Sequence, residues 1–168
     1  MRLSDGVEWA VHCCTVLATL PEDQALPAAR LAEFHDVPPA YLAKHLQALT
    51  NAGITRSLPG PRGGYRLARP PAAISLLDVV LAVDGDDTAF RCSEIRQRGP
   101  AAGPASTYRR PCGIARAMWR AEDAWRDSLA STSIGDLIIE LLATVAPEQL
   151  TKGAAWVQNV EIKRRSRT

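Results

Sequence analysis

The chain is poor in cysteine, with four in 168 residues, and it has no run of 18 apolar residues, which excludes a membrane-spanning helix. Its first residues, MRLSDGVEW, lack the basic region and apolar stretch of a secretory signal. The expected location is therefore the cytoplasm, where thiols stay reduced. Four cysteines in that setting read as metal ligands or core residues rather than disulfides. Net charge is only +2, so bulk charge does not single out nucleic acid and local charge must make that case. A phosphate-binding loop, a nucleophile–base pair and paired acids are also missing, so no enzyme is expected, and there is no internal repeat. What is present is an apolar fraction of 46%, too high for a disordered chain. The length suits one domain, or one domain plus a long accessory helix, able to bury roughly 70% of its unfolded surface.

Helical patterns dominate. Ser4 is the expected N-cap of a first helix running through GVEWAVHCCTVLATL to the neighbourhood of Pro21, with Asp5 in its first turn. PAARLAEFHD forms a short second helix with Leu31 and Phe34 inward. VPPAYLAKHLQALTNAG has prolines at its start and a glycine past its end, and Leu42, Leu46 and Leu49 share one face. ITRSLPGPRGGYRLARP reads as a two-stranded hairpin with a Pro/Gly-rich tip. SLLDVVLAVDG is a helix capped by Ser75 and closed by Gly85. Residues 86–111 are irregular, and a loop this long in a small domain is functional or disordered. CGIARAMWRAEDAWRDSLAS is amphipathic, with Ile114, Met118, Ala121, Trp125 and Leu129 in one stripe. SIGDLIIELLATV is a further short helix, and the end of the chain reads as a frayed tail.

Two short helices, a tight joint at HDVPP and a basic hairpin follow the order of a winged helix-turn-helix, mainly α with a small β-hairpin wing. The second helix of the pair would enter the major groove of double-stranded DNA. Its outward face carries Tyr41, Lys44, His45 and Gln47, behind Pro39 in the first turn. The hairpin from Ile54 to Pro70 contains Arg56, Arg62, Arg66 and Arg69 and no acid. Gly63, Gly64 and Tyr65 follow Arg62 at the tip, where the backbone can approach a sugar-phosphate wall. Arg2 joins this set from the N-terminus. Tyr41 could equally pack on the preceding helix. The stripe from Ile114 to Leu129 could fold back on the N-terminal domain or pair with a second copy. Pairing is the preferred reading, because two-fold operators need reading heads at a fixed spacing.

The segments MRLSDGVEWAVH, PAARLAEFHDVPPAYLAKHLQAL, PGPRGGYRLARP, ISLLDVVLAVDG, FRCSEIRQRGP and PCGIARAMWRAEDAWRDSL resemble the bacterial iron–sulfur regulators of the IscR, NsrR and RsrR type. The likeness is nearest to RsrR and covers nearly all but the last twenty or so residues. It implies a homodimeric winged-helix repressor with a cluster lodged between the cysteine loop of one subunit and the first helix of the other. DNA affinity would follow the state of that cluster. The implied division is a DNA-binding domain over 1–84 and a cluster-binding loop over 85–111. A dimerisation helix with the short helix after it would span 112–145, and a tail 146–168. Many members carry three loop cysteines, whereas nothing between Cys92 and Cys112 is cysteine here, so a three-cysteine set is excluded.

A [2Fe–2S] cluster, one per subunit, needs four protein ligands, and histidine can replace cysteine. Cys92 and Cys112 supply two. Glu8 and His12, at i and i+4 on one helix face, are the expected other two, which would give a glutamate in an apolar helix a cationic partner. Trp9, between them, would line the pocket. Cys13 and Cys14 read as small core residues, with one of them a rival to Glu8. A zinc site on the same donors, or a small-molecule site without a redox-active cluster, is the alternative.

Overall fold

The computed structural model of the chain describes residues 3–60 and 63–165, the last five of these by backbone alone. Helices α1 (Asp5–Ala18), α2 (Ala28–His35) and α3 (Pro39–Asn51) come first. An antiparallel hairpin follows, β1 (Thr55–Leu58) and β2 (Gly64–Leu67), in the register Thr55↔Leu67, Arg56↔Arg66, Ser57↔Tyr65. Next is α4 (Leu76–Asp84), then an irregular stretch holding two 3-10 turns, Ile95–Gln97 and Ala105–Tyr108. The chain closes with α5 (Gly113–Ala130), α6 (Ile134–Thr144) and α7 (Pro147–Arg165). This is the mostly helical, winged-helix architecture expected from the sequence.

Local chemistry sets the boundaries. Pro39 opens α3, where the N–H it lacks has no partner in any helix. Asp36 takes the left-handed conformation (φ 51°) between α2 and α3, one that short polar side chains tolerate. Ser75 and Asp78 form a reciprocal capping box on α4, and Ser133 and Asp136 form another on α6. Ser4 is the N-cap residue of α1, as expected, but its side chain makes no capping bond; its N–H (3.0 Å) and its hydroxyl (2.5 Å) both donate to Asp84. The start of α1 is thus tied to the end of α4.

The core joins Ala10, Cys13, Cys14 and Leu17 of α1 to Leu31 of α2, the row Leu42, Leu46 and Leu49 of α3, Ile54, Ile74, Val79 of α4 and Ile134 of α6. The last of these reaches the core because α6 is stitched to the head by backbone bonds, Leu76 N–H to Thr132 O and Ile134 N–H to Ile74 O, each 2.8 Å. The expected tail is also corrected from residue 147 onward. It is a helix whose Trp156 ring meets Phe34 of α2 with centroids 5.0 Å apart, and whose Val160 is buried. Phe34 therefore faces inward, as expected, but toward α7.

Candidate functional site

On α3 the three leucines face the core, and Pro39, Tyr41, Lys44 and Gln47 face out. Tyr41 is 65% exposed, so it does not pack on the preceding helix. Gln47 donates to Asn51 at 3.0 Å. His45 departs from its expected place. Its ring is half-buried against the backbone of Gly6 in α1, so close that a Cβ on Gly6 would lie 2.3 Å from it. The Trp9 ring stands edge-on to it at 6.1 Å. Burial is the main reason its pKa lies below the ordinary histidine value; Lys44 adds to the lowering and Asp84 opposes it. His45 is a contact between α1 and α3 rather than part of the outward row.

The hairpin is anchored by the GGY of its second strand. Tyr65 N–H donates to Leu26 O at 2.7 Å and Leu26 N–H to Tyr65 O at 2.9 Å. Gly64 (φ 143°) lies against that same carbonyl, where a Cβ would come within 2.4 Å of the Leu26 backbone. Gly63 closes the turn with its N–H on Gly60 O at 2.8 Å. These three residues hold the wing's shape. Arg56 stays exposed beside them, whereas Arg69 is drawn to Asp78 at 3.5 Å. Arg2 and Arg62 lie outside the described residues.

The loop from 86 to 112 is held by polar contacts that its sequence did not announce. Near its start, Glu122 is a buried carboxylate accepting from Ala89 N–H (3.2 Å) and Arg126 (3.4 Å), and Arg126 also reaches Asp86 at 2.6 Å. Trp119 Nε1 donates to Phe90 O at 3.4 Å. Further on, the Arg96 guanidinium forks onto Glu94, one arm at 2.7 Å, lies over the Tyr108 ring at 5.3 Å and donates to Arg110 O at 3.4 Å. The Tyr108 hydroxyl donates back to Arg96 O at 2.8 Å. Arg96 and Tyr108 thereby draw the two ends of the loop together. Cys92 and Cys112, twenty positions apart, lie near enough for Cys92 to help hold the Cys112 thiol below its ordinary value.

Cys112 is also the N-cap of α5, its sulfur accepting from Ala115 N–H at 3.2 Å. That bond is the largest influence lowering its pKa, helped by Ile114 N–H, Cys92 and the Arg96 charge against partial desolvation. The thiolate is the form that binds metals and reacts. Cys13 and Cys14 are the opposite case. Both are fully enclosed, and burial pushes each thiol up to about 12, with Cys13 adding to the effect at Cys14. They are core residues, as the sequence suggested.

Glu8 and His12 both lie exposed on α1. Glu8 is thus solvated within one chain, and the expectation of an apolar surround does not hold there. His12 stands against His35 of α2, ring centroids 5.6 Å apart. Among the described residues His35 Nε2 is enclosed without a hydrogen-bond partner, and sequence reasoning gave His35 no role. Among the described residues no three His, Cys, Asp or Glu side chains gather around a point where a metal ion could sit. Within one chain, then, Cys92 and Cys112 form one pair, and Glu8 and His12 remain a separate pair.

Comparison with known proteins agrees with this architecture. The family described as "Rrf2: Iron-dependent Transcriptional regulator" matches residues 3–140. A Lactococcus lactis protein named as an HTH-type transcriptional regulator, YffB, is 32% identical over 83% of this chain and 88% of its own. The HTH-type regulator IscR of Vibrio cholerae is 33% identical over a shorter stretch, 55% of this chain and 54% of its own. CymR, the global cysteine regulator of Bacillus subtilis, superposes with a TM-score of 0.66 at 23% identity, over 83% of this chain and 98% of its own. Among the described residues no helix is long and apolar enough to cross a membrane. A reading helix with a free polar face, a wing locked by its GGY and a family match over most of its length make this chain a member of the Rrf2 family of DNA-binding transcriptional regulators.

Proposed function

We propose that this chain is a cytoplasmic, homodimeric Rrf2 repressor of the RsrR kind, with affinity for a two-fold operator set by a [2Fe–2S] cluster, one per subunit. The observation that carries the reading is Cys112 at the N-cap of α5, its sulfur accepting from Ala115 N–H, with Cys92 near enough to help hold its thiol below the ordinary value. Glu8 and His12 are the other two ligands, supplied by the α1 of the second subunit; their exposure leaves them open to it. The second subunit is called for by apolar side chains left uncovered on α5 and α6.

The cluster, when bound, supplies one-electron redox chemistry, with a potential raised where histidine replaces thiolate. The chain's own residues hold and transmit. His35 sets the position of the His12 ring. Trp9, between the two α1 ligands, bears on His45 of α3, so a displacement of α1 reaches the reading helix through that contact. Pro39, Tyr41, Lys44, Gln47 and Arg56 face the duplex, Lys44 and Arg56 as phosphate partners. A coupling of about 1–3 kcal/mol between cluster and operator is the usual size for such a switch.

Purification without oxygen, followed by iron and sulfide analysis and a visible spectrum, tests the reading. The expected protein is coloured, and His12→Ala and Cys112→Ala each abolish the colour. A colourless protein holding stoichiometric zinc would overturn the redox reading in favour of a structural metal clamp. Colour surviving in both variants would overturn the ligand set. Lys44→Ala is expected to lower the salt dependence of operator binding by about one phosphate's worth.

A further inference from the structure

A cavity of about 410 Å³ opens between the base of the hairpin and the C-terminal end of α1. Arg56, Arg66 and Arg69 line it, with Glu22 as the one carboxylate, and Leu17 and Leu20 contribute an apolar wall. No residue of α3 takes part. The arrangement is costly as it stands. Arg56 and Arg66 are directly opposed across the two strands, and like charges so placed repel. Arg69 Nε is enclosed with no hydrogen-bond partner among the described residues, its guanidinium being held only by a 3.5 Å ion pair to Asp78. A buried donor left unpaired is expensive. An anion with several acceptor oxygens would offset the repulsion between Arg56 and Arg66 and engage the exposed end of the Arg69 guanidinium.

We propose that this cleft is a binding site for a small phosphate monoester with an apolar body, an effector site separate from the cysteine loop. A phosphoryl group offers three strong acceptor oxygens, and guanidinium forks match that geometry better than any other side chain. The leucine wall takes the organic part. The volume falls within the range of small-molecule sites. A bound anion would fix the hairpin against α1, and so fix the angle of the wing. The DNA backbone carries related phosphate chemistry, and the test separates the two sources.

DNA-free protein is titrated with phenyl phosphate, and separately with inorganic phosphate, at constant ionic strength in chloride while thermal unfolding is followed. The expected result is a saturable rise in melting temperature of about 3–6 °C with phenyl phosphate and a smaller one with inorganic phosphate. Arg66→Gln and Arg69→Gln should each weaken the phenyl phosphate response at least tenfold. Arg91→Gln, which removes a guanidinium outside the cleft, should leave it intact. Circular dichroism verifies that each variant folds, and Arg66→Lys or Arg69→Lys replaces either that does not. A rise no larger than chloride alone gives overturns the proposal. So does a lack of response to phenyl phosphate combined with a reduced salt dependence of operator binding in the same variants, which would assign these arginines to the DNA backbone. Loss of this site leaves the colour of the anaerobic protein unchanged, so the two readings fail separately.

Discussion

In the head, from α1 to α4, the large aliphatic side chains Leu31, Leu42, Leu46, Leu49 and Ile54 are all fully enclosed. In the rear, Ile114 is 71% exposed and Ile139 68%, with Met118 and Leu142 uncovered beside them, while a carboxylate, Glu122, is buried. The head encloses its large aliphatic side chains, whereas the rear leaves several uncovered and encloses a carboxylate. The head is a finished fold within one chain, needing only DNA outside it. The rear leaves apolar side chains uncovered within one chain, and its loop is held in shape by ion pairs.

The sharpest way to break this contrast is in the head. Leu46→Ala should cost about 2–5 kcal/mol of stability, read by denaturant unfolding. A smaller loss would mean that the head's packing is not what holds it. In the rear, Glu122→Ala removes the acceptor of Ala89 N–H and a partner of Arg126. It should cost about 1–3 kcal/mol, and exposure of the loop to protease should rise with it. Ile114→Glu should leave unfolding of the single chain within about 0.5 kcal/mol of wild type. The same change should weaken self-association about tenfold or more, close to 1.4 kcal/mol, measured by sedimentation. If the single chain is destabilised instead, the rear is packed within itself and the contrast fails.

The smallest effect concerns pH. His45 is held below its ordinary value, chiefly by burial against α1. The unfolded chain therefore binds more protons there than the folded one. This contribution to stability is fully present above about pH 6.5 and is lost as pH falls below that value through the lower folded one. His45→Gln should flatten the decline in melting temperature between pH 7.5 and 5.5. An unchanged slope would place the head's acid sensitivity elsewhere.

The head was legible because its rules are local. The leucine row, the prolines at the start of α3, the Ser75 cap and the hairpin each follow from neighbours in sequence. His45 was misplaced because its partner, Gly6, is 39 positions away. A glycine in the first turn of a helix was the available sign, since it weakens a helix unless something packs on it. The helix from Pro147 was missed because it carries few large apolar side chains and its end is basic. Yet a proline at its start with Glu148 next is an ordinary helix opening. At the site, the nearness of Cys92 to Cys112 depends on Arg96 and Tyr108, whose pairing no periodicity reveals. The separation between those cysteines and the pair on α1 is a distance between elements far apart in sequence, which no local pattern encodes.

One atom in the rear has a mechanical reach far beyond its size. The sulfur of Cys112 accepts the N–H of Ala115, and the 18-residue α5, about 27 Å of rigid rod, begins at that bond. Chemistry at that sulfur changes its strength as an acceptor for the rod's first turn, because a metal-bound sulfur keeps lone pairs for the N–H bond but offers them more weakly. Ile114, on that turn, is the first bare side chain a neighbouring copy would grip. An event at a single sulfur is thus felt as a change in the footing of a lever, with no long chain of intermediaries between the chemistry and the grip.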